Sequence, residues 1–471
     1  MSVRRTAPGV DFQRVRDELQ VREQFPSEAL AEAERAAANP RLPEGDDTDL
    51  ELVTLDPIGS RDLDQAVHIA ATDDGYLVSY AIADLAAFVS PGGALDEETR
   101  LRGQTLYCPD KRIGLHPPVL SEGAASLLPG QVRPAALWQL RLDRTGALQH
   151  STVRRTKVRS ISQLDYESTQ QAFETGTAHR SLALLAEVGP LRLQIAAERH
   201  AINLNLPEQV VEKGERGGWE LAYRRQLPCE LWNAEISLLT GMAAAQMMLE
   251  AGIGILRTLP PAPDETLDEV ARTAKRMGIS WSNGAHPSEV IDSLDRSDAR
   301  NVAFIEQAAQ LLRGAGYLAF VDERPADAVH AAIGSTYAHV TAPVRRLVDR
   351  YGTEVCLAHC AGQPVPDWVR GMLADLPEVM ARTGALEGRL ENAIISSLEA
   401  LLLRDSIGHD FPATVVAQHK EGVTVVLDEP AVRARANGEA ELGAKVSVTV
   451  TKADPATSQL QLDLVGHGAG R

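Results

Sequence analysis

A run beginning at Thr54, TLDPIGSRDLDQA, narrows the possibilities for this chain more than any other segment. An apolar strand end breaks into a Pro-Gly turn, and three aspartates follow at Asp56, Asp62 and Asp64. The turn lets Asp56 fold back beside the others, while Asp62 and Asp64, two apart in extended chain, face the same way. Three hard oxygen ligands are expected to converge on one point. Mg²⁺ takes a few carboxylates plus waters and phosphate oxygens, and two such ions about 4 Å apart activate water and stabilise a leaving oxygen in phosphodiester cleavage. Taken alone, Asp-x-Asp after a strand is a weak signal. Sugar-nucleotide transferases and many phosphatases share it, and acidic loops are often merely solvated.

With 471 residues, 44% of them apolar, the chain can bury a large core and is expected to divide into two or three domains. Met1–Pro8 carries Arg4 and Arg5 but no apolar stretch of signal-peptide length, and the longest apolar stretch, Leu238–Leu256, is interrupted by Gln246 and Glu250. A cytoplasmic protein without a membrane span is expected. Cys108, Cys229, Cys356 and Cys360 are scattered, and the one close pair encloses His359 with no second ligand pair elsewhere, so small buried hydrophobes are preferred to a zinc site. A net charge of −18 argues against coating nucleic acid over the whole surface, because phosphate neutralisation needs clustered Lys and Arg. Any RNA must meet a local basic track.

Val10, Phe12, Val15 and Leu19 recur near helical spacing, and Pro26-Ser27 opens a second, Ala-rich helix ending before Pro40. The polar segment Arg41–Asp49 sets a boundary near residue 45, and strand-like and helical stretches then alternate to about residue 405. From Phe411 the texture changes to alternating strands: Ala413–Gln418, Val423–Leu427, Lys445–Lys452 and Gln459–Val465. About five strands in sixty residues predict an OB-type barrel. The expected architecture is α+β and multidomain: a helical leader over 1–45, a mixed α/β catalytic domain over 46–408 and an OB-fold barrel over 409–471.

The aspartate run resembles the signature of the RNase II/RNase R (RNB) family, a threonine-x-aspartate followed after five residues by aspartate-x-aspartate-aspartate-alanine, and departs from it at Gln65. YAIADLAAFVSPGGALDEETRLRGQTLYCPDKRIGLHPPVLSEGAASLLPG from Tyr80 and YAHVTAPVRRLVD from Tyr337 resemble later blocks of the same family. The resemblance covers roughly Asp49 to Asp405.

It implies a metal site of Asp56, Asp62, Asp64 and Gln65, with Mg²⁺, or Mn²⁺ in its place, and with Asp64 most needed for the chemical step. A glutamine carbonyl can coordinate Mg²⁺, but one negative charge is lost, so weaker metal binding before RNA arrives is expected. Tyr107 is implied to stack on a nucleotide near the 3′ end, and the second aromatic usual after a glycine-rich strand is missing between Gly254 and Pro263. Arg345, just after Pro343, is implied to support the scissile phosphate, with an ordinary helical ion pair to Asp349 as the alternative for it and for Arg346. Glu391 matches a glutamate near the reacting end. Arg155, Lys157 and Arg159 would share one face of a strand as a backbone track or a solvated edge. Lys420, Arg433, Arg435 and Lys445 are left to hold phosphates on a barrel whose one aromatic is Phe411.

The family implies a processive 3′-to-5′ exoribonuclease releasing nucleoside 5′-monophosphates from single-stranded RNA and 3′ overhangs, monomeric and without an organic cofactor. Relatives place two cold-shock barrels before the catalytic block, which forty-five helical residues cannot contain, so the leader helices are expected to pack beside the C-terminal barrel as a substitute, helix-turn-helix-like clamp. Two other readings stay open. Gln65 would mark a decayed site in a non-catalytic RNA-binding relative, and a sugar-nucleotide transferase would use the same Asp-x-Asp but lack the terminal barrel.

Overall fold

The computed structural model describes residues 10–214, 217–282, 284–296, 298–322, 324–427 and 429–466; Arg4 and Arg5 lie outside the described residues. Five strands, β1 (Asp46–Asp56), β2 (Gln65–Thr72), β3 (Gly75–Ala83), β4 (Val132–Asp143) and β5 (Leu148–Asp165), close a barrel in that order, with β1 returning parallel to β5. Both faces of this sheet are covered. Val78, Tyr80 and Ile82 point into one hydrophobic cluster and Ala81 and Ala83 into another, so β3 reads as a continuous apolar run rather than an alternation. Helices α3 (Pro228–Ala251) and α4 (Leu347–Cys360) pack on the first of these faces through Ile236, Leu239, Val348 and Tyr351.

The long apolar stretch at Leu238 is therefore a core helix. It stops where Gly252 takes a left-handed conformation (φ 68°), and strand β6 (Ile253–Thr258) begins at the next residue, pairing antiparallel with β7 (Gly316–Val321). Among the described residues no helix is long and apolar enough to cross a membrane. The four cysteines are free, and no group of three His, Cys, Asp or Glu side chains among the described residues is placed to hold a metal ion, so Cys356, His359 and Cys360 make no zinc site.

The second barrel follows the expected strands closely. Strands β8 (Asp410–His419), β9 (Gly422–Leu427), β10 (Arg433–Asn437), β11 (Lys445–Asp454) and β12 (Gln459–Leu464) close in the order β8-β9-β10-β12-β11. Val415, Val425, Val448, Val450 and Leu462 fill it. Phe411, its one aromatic, is buried and offers no stacking surface.

The leader helices differ from a helix-turn-helix unit. α1 (Phe12–Glu18) joins a cluster with Leu390, Ile394 and Leu398 of the long helix α5 (Leu376–Leu403), and Arg14 reaches the Pro455 carbonyl of the second barrel at 3.2 Å. α2 (Ser27–Ala38) instead joins, through Ala33, the cluster that holds Leu95 and Leu120 together with Leu52 and Ala81 of the first barrel. A two-helix unit needs a shared core, and these two helices are drawn to separate ones.

Candidate active site

Asp56 ends β1, and Gly59, at φ 80°, turns the chain before β2. The loop carrying Asp62 and Asp64 is strapped at its middle. The Leu63 N–H donates to Ser126 Oγ at 3.0 Å, Leu127 N–H donates to the Leu63 carbonyl at 3.0 Å, and Ala83 N–H donates to the Asp64 carbonyl at 2.9 Å. With Leu63 buried between them, Asp62 and Asp64 are fixed by the backbone on either side.

The three carboxyls then meet different partners. Asp64 is 4% exposed; its Oδ1 accepts the Val344 N–H at 2.7 Å and its Oδ2 lies 3.3 Å from Arg345 Nε. Asp62 accepts the Tyr107 hydroxyl at 3.0 Å on one oxygen and faces Arg112 Nη1 at 3.0 Å on the other. Asp56 keeps a buried Oδ2 with no hydrogen-bond partner. Burial, with Asp62 as a further repulsive charge, pushes the Asp56 carboxyl up to about 7 against the pull of Arg345. Burial likewise raises Asp64 to about 7 in spite of Arg345 and the Val344 amide.

Three-point convergence on one ion is not what these residues form, because Asp64 is committed to the Val344–Arg345 backbone and guanidinium. Asp56 and Asp62, mutually repelling, with an orphaned buried oxygen on Asp56, do fit a divalent ion of the kind that takes one or two carboxylates and fills its remaining positions with water and phosphate oxygens.

Gln65 departs from its expected place among the ligands. Its Nε2 donates to the Thr341 carbonyl at 2.7 Å and its Oε1 accepts the Tyr80 hydroxyl, so both ends of the amide are engaged in a polar contact between β2, β3 and the segment before α4. Tyr80 is itself fully buried, which pushes its hydroxyl well above the usual tyrosine range and keeps it a donor.

Arg345 and Arg346 separate in role. Arg346 makes a two-pronged pair with Asp349, Nε to Oδ2 and Nη2 to Oδ1 both at 2.9 Å, and Asp349 also accepts the Ala342 N–H at 2.6 Å. This closes the turn that presents Arg345. Arg345 is 43% exposed and points at Asp64, and its carbonyl is held by the Thr105 N–H at 2.9 Å. The helical ion pair thus belongs to Arg346, whose guanidinium is occupied by Asp349.

Tyr107, 50% exposed, lies in the short hairpin Leu106–Tyr107 and Arg112–Ile113, its hydroxyl anchored on Asp62 and its ring open. Glu391 is exposed on α5, one turn after Glu387. Glu387 stands closer: it accepts Gln104 Nε2 at 2.7 Å, burial raises its carboxyl, and its charged neighbours are Glu391, Arg345 and Arg346. Its i,i+4 spacing to Glu391 was the one signal in the sequence that could have found it. The aromatic missing from β6 has a neighbour across the sheet, Tyr317, with the Arg257 guanidinium 4.8 Å over its ring.

The basic strand track is largely consumed. Arg155 Nε bonds Asp84 at 2.8 Å and its Nη2 pairs with Glu354, Lys157 lies 3.1 Å from Asp46, and Arg159 reaches the Thr48 carbonyl at 3.4 Å. These side chains do share a strand face, but they tie β5 to its surroundings. On the second barrel Arg433 pairs with Glu306 at 2.7 Å, while Lys420, Arg435 and Lys445 are exposed.

The site is a barrel whose strand end gathers carboxylates beside an arginine and an open tyrosine, and a second five-stranded barrel follows it. The RNB domain family matches residues 46–355, and the RNase II-type exonuclease C-terminal S1 domain matches residues 409–465. The chain belongs to the RNB-domain family. Ribonuclease R of Chlamydia muridarum is 23% identical over 436 residues, covering 89% of this chain and 62% of that protein, so the chain spans about three fifths of that relative's length. The apo form of Mycoplasma genitalium RNase R shares the fold at a TM-score of 0.85 and 19% identity, over 96% of this chain and 77% of that one. Yeast Ssd1, a pseudonuclease, shares it at a TM-score of 0.70 and 16% identity, over 91% of this chain and 53% of that one.

Proposed function

We propose that this protein hydrolyses single-stranded RNA from the 3′ end, processively, to nucleoside 5′-monophosphates, with a divalent ion that Mg²⁺ or Mn²⁺ can supply. The observation that carries this reading is the placement of Arg345, exposed and directed onto buried Asp64, beside the orphaned oxygen of Asp56. RNA as substrate and the 3′ polarity rest on family membership, whose exonucleases generally depend on divalent metal.

In this reading Asp56 and Asp62 hold the ion, which when bound supplies a Lewis acid for the phosphate and a more acidic water. Arg345 donates from its exposed nitrogens to the non-bridging oxygens of the scissile phosphate, and Asp64 fixes the guanidinium for that task. Tyr107 stacks under a terminal base, a contact worth about 1–3 kcal/mol and indifferent to base identity. Backbone and stacking contacts alone are then read, which suits a sequence-indifferent enzyme.

A non-catalytic RNA-binding reading is favoured by one feature, the engagement of Gln65 by Thr341 and Tyr80 where the family has a carboxylate. Time-resolved digestion of 5′-labelled single-stranded RNA, with and without Mg²⁺, separates the two. A metal-dependent ladder or short end product that Asp64→Asn abolishes supports the enzyme; RNA left intact under both conditions supports the binding protein.

A further inference from the structure

Arg112 is a charged group at this site to which the proposed chemistry gives no task. It lies across the hairpin from Tyr107, with its guanidinium carbon 5.8 Å from the centre of that ring. Its Nη1 is shared between two carboxylates, 3.0 Å from Asp62 Oδ1 and 3.3 Å from Glu122 Oε1, and its Nε is buried without a hydrogen-bond partner. Glu122 has a second cation nearby, Arg61 at 3.7 Å.

The consequence falls on Asp62. One of its oxygens takes the Tyr107 hydroxyl and the other faces Arg112, so a cation approaching Asp62 meets a positive charge already in place. A guanidinium does not hold its partner irrevocably: it binds phosphate in the same two-pronged manner as carboxylate. Glu122, within reach of the same nitrogen, offers a resting place away from Asp62.

We propose that Arg112 is a latch on Asp62, neutralising it in the RNA-free protein and leaving it when a phosphate of the strand stacked on Tyr107 arrives, so that RNA and divalent ion bind cooperatively. This rests on the metal-dependent reading above. The ion is thereby admitted mainly when substrate is present, and by linkage the ion must tighten RNA by the same factor as RNA tightens the ion.

The test reads binding, not turnover. Mn²⁺ affinity of the full chain is measured by the electron paramagnetic resonance signal of the free ion, alone and with a short 2′-O-methyl single-stranded RNA. For the wild type the RNA should tighten Mn²⁺ by about tenfold. Arg112→Ala and Arg112→Gln should bind Mn²⁺ about tenfold more tightly than wild type without RNA and lose most of the RNA effect, while Arg112→Lys, which keeps the charge, should bind weakly without RNA. Thermal melts confirm that each variant is folded. If both neutral variants show wild-type Mn²⁺ affinity and an undiminished RNA effect, the latch is wrong while the metal site stands. If the wild type binds no Mn²⁺ with or without RNA, the metal-dependent reading falls and the latch with it.

Discussion

Asp56 is a carboxyl held where its neutral form fits better than its charged one, with a buried oxygen that no donor reaches. Its folded value, about 7, lies above the ordinary 3.8, so the folded state binds the proton more tightly than the unfolded chain does. The stability this contributes is complete below about pH 4 and is lost as pH rises through about 7; Asp64 adds a loss of the same sign. Asp56→Asn should therefore raise the melting temperature of metal-free protein at pH 8, by a few degrees for a gain on the order of 1 kcal/mol, and change it little at pH 4 while abolishing hydrolysis. Equal melting shifts at the two pH values would refute the buried-charge account. Gln65 leads to the opposite expectation. An aspartate there has no donor for the Thr341 carbonyl, so Gln65→Asp should cost about 1–3 kcal/mol in denaturant unfolding even if it lowers the Mg²⁺ needed for half-maximal rate. The three aspartates were legible in the sequence because their spacing is local. The engagement of Gln65 was not, since its partner is 276 residues away.

Among the elements, the hairpin bearing Tyr107 and Arg112 touches Asp62 twice, through the Tyr107 hydroxyl and the Arg112 guanidinium, and so ties the proposed base-stacking ring to the proposed metal-side carboxylate. Tyr107→Phe keeps the ring and drops that bond, so it should leave KM for RNA within about twofold while raising the metal requirement, whereas Tyr107→Ala should raise KM about tenfold or more through lost stacking. Indistinguishable kinetics for the two variants would separate Tyr107 from the substrate. Helix α1 shows where patterning informs and where it stops. Phe12 and Val15 were legible as an apolar face, but which surface they meet depends on the distant residues Leu390, Ile394 and Leu398 of α5. Phe12, 3% exposed and edge-on to Trp219 with ring centres 5.4 Å apart, fastens the leader to that surface. Phe12→Ala should cost about 3–5 kcal/mol in urea unfolding; a loss below about 1 kcal/mol would mean the leader is a loose appendage. The second barrel was the more legible of the two because its strands keep period-two alternation, with Val423, Val425 and Leu427 buried between less buried residues. The first barrel hides that period, since both of its faces are covered.

At the scale of the whole molecule, a chain of net charge −18 that is to bind RNA, as proposed above, must do so through local cations. Several arginines that composition would assign to RNA are already held in ion pairs: Arg154 pairs with Asp47, Arg155 with Asp84 and Glu354, Arg346 with Asp349, Arg433 with Glu306. Arg345, Lys420, Arg435 and Lys445 stand exposed. If those four, with Arg112 taking a phosphate as proposed above, neutralise about five phosphates, the slope of log affinity against log salt for single-stranded RNA should be about −3.5, because each phosphate contributes about −0.7 for a single strand. Lys420→Ala and Arg435→Ala should each flatten the slope by a little under one. Arg155→Ala should leave the slope alone and lower the melting temperature, since it strips Asp84 and Glu354 of their shared cation. Fluorescence-anisotropy titrations over a range of KCl, without divalent ion, measure all of these. A wild-type slope steeper than about −6 would mean that the paired arginines exchange their carboxylates for phosphates when RNA enters, and that the ion pairs drawn across β5 and α4 open on binding.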